Sequence, residues 1–345
     1  MTTNQRTAMI LLSILVTDGI AQDTRRHSRP PVTTVARPVL FGTPEADRIL
    51  SGLQVFPPEN PWNQDITALP VHVNSARIIG SIGADKHLGY NLDMNFVIVP
   101  PNQPRVSVKI LLYPADSDPG PFPLPDNAPI ENWPLAKNED TSAVAYPGQT
   151  LDDIQRHGSG DRHLLIVDPA NGTLHEFWQA RKTDAGWEAS NAATFDLRTG
   201  ALRPEGWTSA DAAGLPIFPA TVRFDECERG IVDHAMRFTV RRSRRAYVLP
   251  ATHFASSSTD PDLPRMGERL RLRQDFDTSG FPPHARAVLE GLKKYGMFVA
   301  DNGQDWLMSI SPDARLKGLE TLERVKGSDF EVVDTGARAS SAQLR

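Results

Sequence analysis

The sequence predicts a mainly β protein, a sandwich or jelly-roll-like fold with at least one packed α-helix. The 29 prolines and 24 glycines are spread along the whole chain and break it into short pieces, which disfavours a helical bundle or a doubly wound α/β sheet. The pieces between them are rich in β-branched, aromatic or alternating residues, as short strands are. The predicted strands span residues 95–99, 106–113, 163–168, 173–180, 221–226, 231–240 and 246–251.

Turn residues separate many of the predicted strands. The clearest case is Asn171-Gly172, which follows Pro169 between the strand-like runs HLLIVD and TLHEFWQA. Asn-Gly between two such runs is a strong hairpin signal, because both residues accept the left-handed conformations that a tight turn needs. Strand character also appears on both sides of Asn302-Gly303, which predicts a second hairpin near the end of the chain.

One helix is predicted over residues 283–295. Pro282 and Pro283 suit its first turn, because proline already has the φ of a helix and its missing N–H is not needed there. Apolar residues then recur at helical spacing, and Gly296 ends the helix. The apolar stripe predicts that the helix packs against a sheet.

Composition divides the chain into four parts. Residues 1–21 combine Arg6, an apolar run too short to span a bilayer and small residues at the end, as a secretory signal peptide does; a disordered N-terminus is the alternative. Residues 22–45 are rich in Arg, Pro and Thr and are predicted to be a flexible leader. No linker-like stretch divides residues 46–335, so we predict a single β-rich domain, followed by a disordered tail over 336–345. The predicted location is extracellular or periplasmic, with no membrane span.

Charge and motif content exclude several function classes. The net charge of −5, with acidic and basic residues mixed, gives no basic surface for nucleic acid. The single Cys227 excludes an intramolecular disulfide, and its neighbours Glu226 and Glu228 oppose formation of a thiolate. No GxSxG, HExxH, Walker or dinucleotide motif occurs. The sequence predicts no cofactor and no metal site, with structural calcium at Asp260, Asp262 and the DxxxSG run beginning at Asp275 as the alternative.

Glu176 is the first candidate for catalysis. Alternation along the strand 173–180 puts Glu176 on the same face as Leu174 and Trp178. Burial beside an indole raises the pKa of a carboxyl group, which makes Glu176 a candidate general acid and Trp178 a candidate stacking plane for a sugar. An edge-strand glutamate paired with an arginine is the structural alternative.

A second group of candidates lies between residues 221 and 240. Alternation places Arg223 and Asp225 on one face of a predicted strand and Glu226 on the other, while His234 falls in an apolar row of the next strand. Asp225, Glu226 and His234 are therefore candidate acid–base residues, and Arg223 is a candidate substrate ligand. A histidine in such a row is more often a core residue with satisfied hydrogen bonds, so this alternative stays open.

The loop RPEGWTSADAAGLP, residues 203–216, has neither helical nor strand periodicity and carries prolines near both ends. Such a loop is typical of ligand contacts, with Trp207 as a stacking plane and Asp211 as a hydrogen-bonding carboxylate; a compact structural loop is the alternative. His253 lies in the polar segment after the last predicted strand and is the remaining candidate for substrate binding.

Several blocks resemble the recurring blocks of a family of secreted bacterial proteins, most of them uncharacterised. They are GDRHLLIVD, LHEFW, LRPEGWTSADAAGLPIFPATVRFDE, HAMRFTV, PATHFASSS, MGERLRLR and KKYGMFVADNG. The resemblance covers most of residues 50–335. It implies a polysaccharide setting, because members of the family sometimes carry carbohydrate-binding modules, and it assigns no catalytic residue.

The leading hypothesis is a secreted carbohydrate-active enzyme, a glycoside hydrolase that cleaves a polysaccharide in an open groove. Glycosidic hydrolysis needs two carboxyl groups, and the predicted pair is Glu176 with Asp225 or Glu226. A non-catalytic carbohydrate-binding or cell-surface protein would use the same groove without such a pair. A polysaccharide lyase, in which His and Arg side chains act beside a uronate carboxylate, is the third hypothesis.

Overall fold

The computed structural model describes residues 34–131, 133, 150–337 and 339–340. The predicted signal peptide, half of the predicted leader and more than half of the predicted tail therefore lie outside the described residues. Of the described residues, 24% are in strands and 20% in helices, so strand outweighs helix and the fold is β-rich. Within the described ranges, no helix is both long enough and apolar enough to cross a bilayer.

The helices are α1 (Pro44–Gly52), α2 (Ser75–Ile82), α3 (Leu151–Arg156), α4 (Phe224–Arg229) and α5 (Pro283–Lys294). The strands are β1 (Val39–Leu40), β2 (Gly89–Leu92), β3 (Phe96–Ile98), β4 (Val108–Ile110), β5 (Leu164–Asp168), β6 (Thr173–Trp178), β7 (Arg181–Thr183), β8 (Gly186–Ala189), β9 (Asn191–Asp196), β10 (Met236–Val240), β11 (Tyr247–Val248), β12 (Arg269–Leu272), β13 (Met297–Asn302), β14 (Leu307–Ile310), β15 (Phe330–Val332) and β16 (Ala339–Ser340).

Two larger sheets form the body of the protein. The five-stranded sheet has the order β1-β3-β5-β6-β9 and the six-stranded sheet has the order β15-β12-β13-β10-β14-β2. A three-stranded sheet has the order β4-β8-β7, and β11 pairs with β16. Parallel pairs occur in each of the first three sheets, for example β3 with β5, β10 with β13 and β4 with β8. The β-rich class is therefore confirmed in a mixed parallel and antiparallel form, while the sandwich or jelly-roll arrangement stays a prediction.

The five-stranded sheet is buried on both faces. Leu165 on one face belongs to the main hydrophobic core, which also contains Phe298 of the six-stranded sheet. Leu164 and Ile166 on the opposite face belong to a second core, together with Trp187 of the three-stranded sheet. Burial on both faces explains why β5 reads as a continuous apolar run rather than an alternating one.

Helix α5 packs on the six-stranded sheet, as its apolar stripe predicted. The close approach requires glycine at position 291, because a Cβ there would lie 2.5 Å from the carbonyl oxygen of Val232 and 2.7 Å from the terminal methyl of Met236. The hairpin predicted at Asn171-Gly172 is also confirmed, since β5 and β6 are antiparallel neighbours that meet at the pair Asp168 and Thr173.

The prediction of a strand over residues 221–226 is wrong, because Phe224–Arg229 forms helix α4. Glu226 accepts a hydrogen bond from the backbone N–H of Arg223 at 3.2 Å and so caps the first turn. Gly230 ends the helix in the left-handed conformation, with φ of 88°. Capping at both ends outweighs the β propensity of the preceding residues.

The second predicted hairpin is also wrong. Both strands exist, but β10 lies between β13 and β14 in the six-stranded sheet. The connection passes around the end of β10, where Gly303 N–H donates to the carbonyl of Val240 at 2.9 Å and Thr239 Oγ1 donates to the carbonyl of Gln304 at 2.5 Å. In the six-stranded sheet, β10 thus occupies the position beside β13 that β14 would occupy in a hairpin.

Ordered structure begins before the predicted boundary at residue 46. Val35 and Val39 are buried, and β1 pairs with β3, so residues 34–45 belong to the folded part rather than to a flexible leader. The pattern of Arg, Pro and Thr hides this strand because β1 is only two residues long.

Candidate functional site

Four of the predicted site residues meet in one place, which we name the Arg223 pocket. Arg223 Nε lies 3.4 Å from Oδ1 of Asp225, and the Arg223 guanidinium also contacts the carboxylate of Glu226. His234 Nε2 lies 3.0 Å from Oε1 of Glu226. The pocket is small and shallow and is lined by Val55, Asn63, Pro219, Arg223, Glu226, Asp233 and His234.

The carboxyl groups of the Arg223 pocket are held by ion pairs. Burial would raise the pKa of Glu226, but the charges of Arg223 and His234 outweigh burial and lower the pKa to about 2. Glu226 therefore stays an anion and also caps α4. Burial raises the pKa of Asp225, which pairs with Arg229 at 2.6 Å. The ion pairs of Arg223, Asp225 and Glu226 can therefore be explained by the folding of helix α4 alone.

Glu176 lies outside this pocket and is fully buried. Its carboxylate accepts backbone N–H bonds from Ile217 at 2.9 Å and Phe218 at 2.8 Å. Burial raises the pKa of Glu176 to about 7, although these two N–H donors act in the opposite direction. Phe218 also packs its ring against Arg223, with the guanidinium 5.1 Å from the ring centre, so one residue separates Glu176 from the Arg223 pocket. The predicted pair of Glu176 with Asp225 or Glu226 shares no direct contact.

Beyond its exposed residues 204–206, the loop 203–217 lies between the two larger sheets. The carbonyl of Ala210 lies 3.0 Å from Nε2 of His163, beside the five-stranded sheet. On the other side, the Asp211 carboxylate accepts two hydrogen bonds from Arg237 of β10, at 2.8 and 2.9 Å. Asp211 is completely buried, so it holds the loop to the six-stranded sheet instead of facing solvent as a substrate ligand would.

The aromatic candidates are more exposed. Trp207 is half-buried and lies 5.4 Å below the guanidinium of Arg203. Trp178 is half-buried and donates its indole N–H to Asp161 at 3.0 Å. His253 is half-buried, with Nδ1 2.8 Å from the carbonyl of Ala212.

A second group of charged side chains fills the space around this loop, and we name it the inter-sheet cluster. It consists of Asp93, Glu131, His163, Asp211, Arg237 and Asp301. Strand register explains the polar row on the six-stranded sheet: Arg237 of β10 donates to Ser309 of β14, and Ser309 is paired with Asn91 of β2. Asp93 follows β2 directly. The cluster reaches the surface at Asp301, which is half-buried, and at Glu131, whose side chain is 10% exposed.

Glu131 and His163 form an ion pair in the cluster. Glu131 Oε2 lies 3.0 Å from Nδ1 of His163 and accepts the His163 backbone N–H at 3.1 Å. Both ring nitrogens of His163 face acceptors, so the doubly protonated ring suits the site. Burial opposes the charge, but Glu131 outweighs it and raises the pKa of His163 to about 10. Burial likewise opposes ionisation of Glu131, and the His163 charge overcomes it, so the pKa of Glu131 is lowered.

Asp93 and Asp301 are acids in excess of the cations. Within the described part of the chain, neither is in an ion pair, and Asp93 Oδ1 has no hydrogen-bond partner although Asp93 is only 6% exposed. Burial, and then the charge of Glu131, raise the pKa of Asp93 to about 7. Burial, and then the charge of Asp211, raise the pKa of Asp301 to about 7. Since buried carboxyl groups outside an ion pair are costly, Asp93 is a candidate functional residue, with Asp301 beside it in the cluster.

Sequence analysis missed these acids. Asp93 and Glu131 lie on irregular segments between strands, where a charged residue gives no signal against its neighbours. Arg237 did carry a signal, since it stands inside the apolar run HAMRFTV, but alternation along that run puts it on the face opposite to Met236 and Phe238, which predicts solvent exposure. The six-stranded sheet is buried on both faces at β10, and Arg237 is only 4% exposed.

These pKa shifts predict how stability depends on pH. Asp93, Glu176 and Asp301 have pKa values raised to about 7, so their contribution to stability is complete below their ordinary values near 4 and is lost as the pH rises through 7. The contribution of His163 is lost between 6.5 and about 10. Glu226 acts oppositely: its contribution is complete above 4.5 and is lost as the pH falls towards 2. Denaturant titrations should therefore give a free energy of unfolding at least about 1 kcal/mol larger at about pH 5 than at about pH 8; a larger value at the higher pH would contradict these shifts.

Replacing Glu176 by glutamine is expected to cost about 1–3 kcal/mol of unfolding free energy. The amide keeps one acceptor oxygen but places an NH₂ group against the backbone N–H groups of Ile217 and Phe218. Denaturant unfolding measures the loss, and Glu320→Gln, at an exposed position, is the matched control. A loss of turnover in Glu176→Gln without a loss of stability would instead assign Glu176 to catalysis.

No group of three or more His, Cys, Asp or Glu side chains in the described ranges has an arrangement that could hold a metal ion. Comparisons with protein-family models, curated proteins and solved structures gave no match, so the site is interpreted from its own chemistry.

Proposed function

We propose that the protein is a secreted carbohydrate-active enzyme that hydrolyses glycosidic bonds at the inter-sheet cluster. The observation that carries this proposal is the opposite displacement of two neighbouring carboxyl groups: the pKa of Asp93 is raised to about 7 and the pKa of Glu131 is lowered. Glycosidic hydrolysis needs one carboxyl group that holds a proton and a second that stays ionised. Asp93 is then the general acid, and Glu131 is the base or nucleophile.

The neighbouring cations have positioning roles in this proposal. His163 holds the Glu131 carboxylate through its ring and its backbone N–H, which keeps Glu131 ionised and oriented. The charge of Arg237 lowers the pKa of Asp93, but burial and the charge of Glu131 raise it by more. Asp93 therefore still carries its proton in mildly acidic solution. The third acid, Asp301, reaches the surface and can accept hydrogen bonds from hydroxyl groups of a substrate.

Two half-buried tryptophans support a glycan as the substrate. Trp133 lies two residues after Glu131, and Trp178 stands opposite His163 in the continuation of the pair Leu164 and Phe177. Indole rings beside carboxylates suit sugars, which present C–H faces for stacking and hydroxyl groups for hydrogen bonds. The signal peptide predicted over residues 1–21 is the basis for placing the enzyme outside the cytoplasm.

A sandwich-like packing of the two larger sheets belongs to the same proposal. Support comes from the shared hydrophobic core, which contains Leu165 of one sheet and Phe298 of the other, and from the loop 203–217, which bonds to both.

The test is a screen of the purified mature chain against plant, fungal and bacterial polysaccharides, with reducing ends and ultraviolet absorbance followed together. New reducing ends without absorbance support hydrolysis. An absorbing unsaturated product would replace the hydrolase by a polysaccharide lyase. Binding without any product would replace it by a non-catalytic carbohydrate-binding protein.

A further inference from the structure

Three consecutive apolar side chains are exposed where β4 ends. Leu111 is 44% exposed, Leu112 is 60% exposed and Tyr113 is 41% exposed. Tyr113 stands against the half-buried Trp178, with ring centres 5.9 Å apart and planes inclined by 47°. We name these four side chains the aromatic platform. A contiguous exposed apolar patch on a folded domain marks an interaction surface, whereas isolated exposed leucines do not.

Backbone hydrogen bonds hold the aromatic platform in place. Leu111 N–H donates to the carbonyl of Ala189 at 2.8 Å, and Tyr113 N–H donates to the carbonyl of Ser190 at 2.9 Å. Ser190 N–H in turn donates to the carbonyl of Trp178 at 2.8 Å, so the two aromatic residues are joined through one backbone unit. A backbone held in this way positions both residues before a ligand arrives, which reduces the entropy lost on binding.

The surroundings of the platform are polar. The indole N–H of Trp178 is bonded to the exposed Asp161, and Gln179 Oε1 accepts from the Ser190 hydroxyl at 2.6 Å. A rim of hydrogen-bonding groups around ring faces matches a sugar, whose edges carry hydroxyl groups. A protein partner would need a wider apolar area than four side chains provide.

The platform is continuous with the inter-sheet cluster. Trp178 ends β6 beside the position of His163, and Asp161 contributes both to the hydrogen bond of Trp178 and to the raised pKa of His163. A chain of sugar units that lies on Tyr113 and Trp178 can therefore extend towards Glu131, the ion-pair partner of His163.

We propose that the aromatic platform is a glycan-binding subsite, at which a polysaccharide chain stacks on Tyr113 and Trp178 while its neighbouring units reach the inter-sheet cluster. The choice of ligand class rests on the proposed function. The subsite gives the enzyme a preference for polymers over short oligosaccharides, because only a chain of several units contacts the platform and the acids together.

The experiment measures binding rather than turnover. Asp93→Asn is used as the background so that bound polysaccharide is not degraded, and affinity electrophoresis in gels containing the polysaccharides of the panel gives dissociation constants. Tyr113→Ala is expected to weaken binding on the order of tenfold, whereas Tyr113→Phe keeps the ring and the affinity. Leu202→Ala, at another exposed leucine of similar exposure, is the matched control.

The outcomes separate this proposal from the proposed function. Unchanged affinity of Tyr113→Ala, or no retained polysaccharide in the panel, would overturn the platform. If the platform is overturned but hydrolysis by the wild type depends on Asp93, the proposed hydrolase activity is still supported. Binding that depends on Tyr113 in a wild type without turnover would support the platform and overturn the hydrolase. Because Tyr113 is exposed, circular dichroism should give the same folded spectrum for every variant.

Discussion

Replacing Asp93 by asparagine is expected to lower the rate of glycan hydrolysis on the order of 10²–10⁴-fold, the usual contribution of a general acid. Asparagine has the same shape and keeps one acceptor oxygen, but it cannot give a proton to the leaving group. The measurement is the release of reducing ends at about pH 5, where Asp93 is protonated in the wild type. Asp85→Asn, at an exposed position, is the control.

Stability gives the same substitution a second readout. Asp93 is buried near Glu131 without an ion pair in the described part of the chain, so removal of its ionisable group relieves desolvation and repulsion. Asp93→Asn should therefore unfold at the same denaturant concentration as the wild type or at a higher one, measured at about pH 8 where the wild-type carboxyl is charged. Such a variant, inactive and at least as stable, is typical of a functional residue. An active variant, or one that loses both activity and stability, would remove Asp93 from the role of general acid.

The largest loss of stability is expected at the pair of Asp211 and Arg237. Both side chains are almost completely buried and joined by two hydrogen bonds, so Asp211→Asn deprives the buried Arg237 guanidinium of its hydrogen-bonded counterion. We expect a loss of about 3–5 kcal/mol in the free energy of unfolding, measured by denaturant titration. Asp184→Asn is the control, because its ion pair with Arg156 is fully exposed on the aspartate side and should contribute little.

A double variant tests the physical reason. Asp211→Asn combined with Arg237→Met removes both charges, so the free energy of unfolding should recover part of what the single change loses. If the double variant is as unstable as the sum of the two single variants, the loss comes from disturbed packing of the loop 203–217 rather than from an uncompensated charge.

Local patterns predicted the elements that short-range chemistry decides. The turn at Asn171-Gly172 and the helix beginning at Pro283 are where the sequence predicts them, because a turn type and a first helical turn depend on a few adjacent residues. The strand prediction over residues 221–226 was wrong for a related reason, because a few adjacent residues also decided the structure there. The choice between strand and helix there depended on caps at Glu226 and Gly230, which the alternation of Arg223 and Asp225 concealed.

The candidate site divides in a similar way. Arg223, Asp225, Glu226 and His234 were brought together by sequence because they are close along the chain, and the structure joins them. Glu176 was predicted to be buried beside apolar neighbours, and it is. Its partners, the backbone N–H groups of Ile217 and Phe218, come from about 40 residues away and could not be read from its own strand.

Local sequence patterns were enough to predict the β-rich class, the hairpin at Asn171-Gly172, helix α5 and the charged side chains within apolar segments. Which charged side chains share a site follows from tertiary contacts alone. Asp93, Glu131, His163, Arg237 and Asp301 lie on five separate segments, and the strand order of two sheets, with the loop 203–217 between them, brings them together. The pKa of each group depends on the burial and charges of the other segments. A cluster assembled from long-range contacts leaves no periodic pattern in the chain, whereas a turn or a helix cap does.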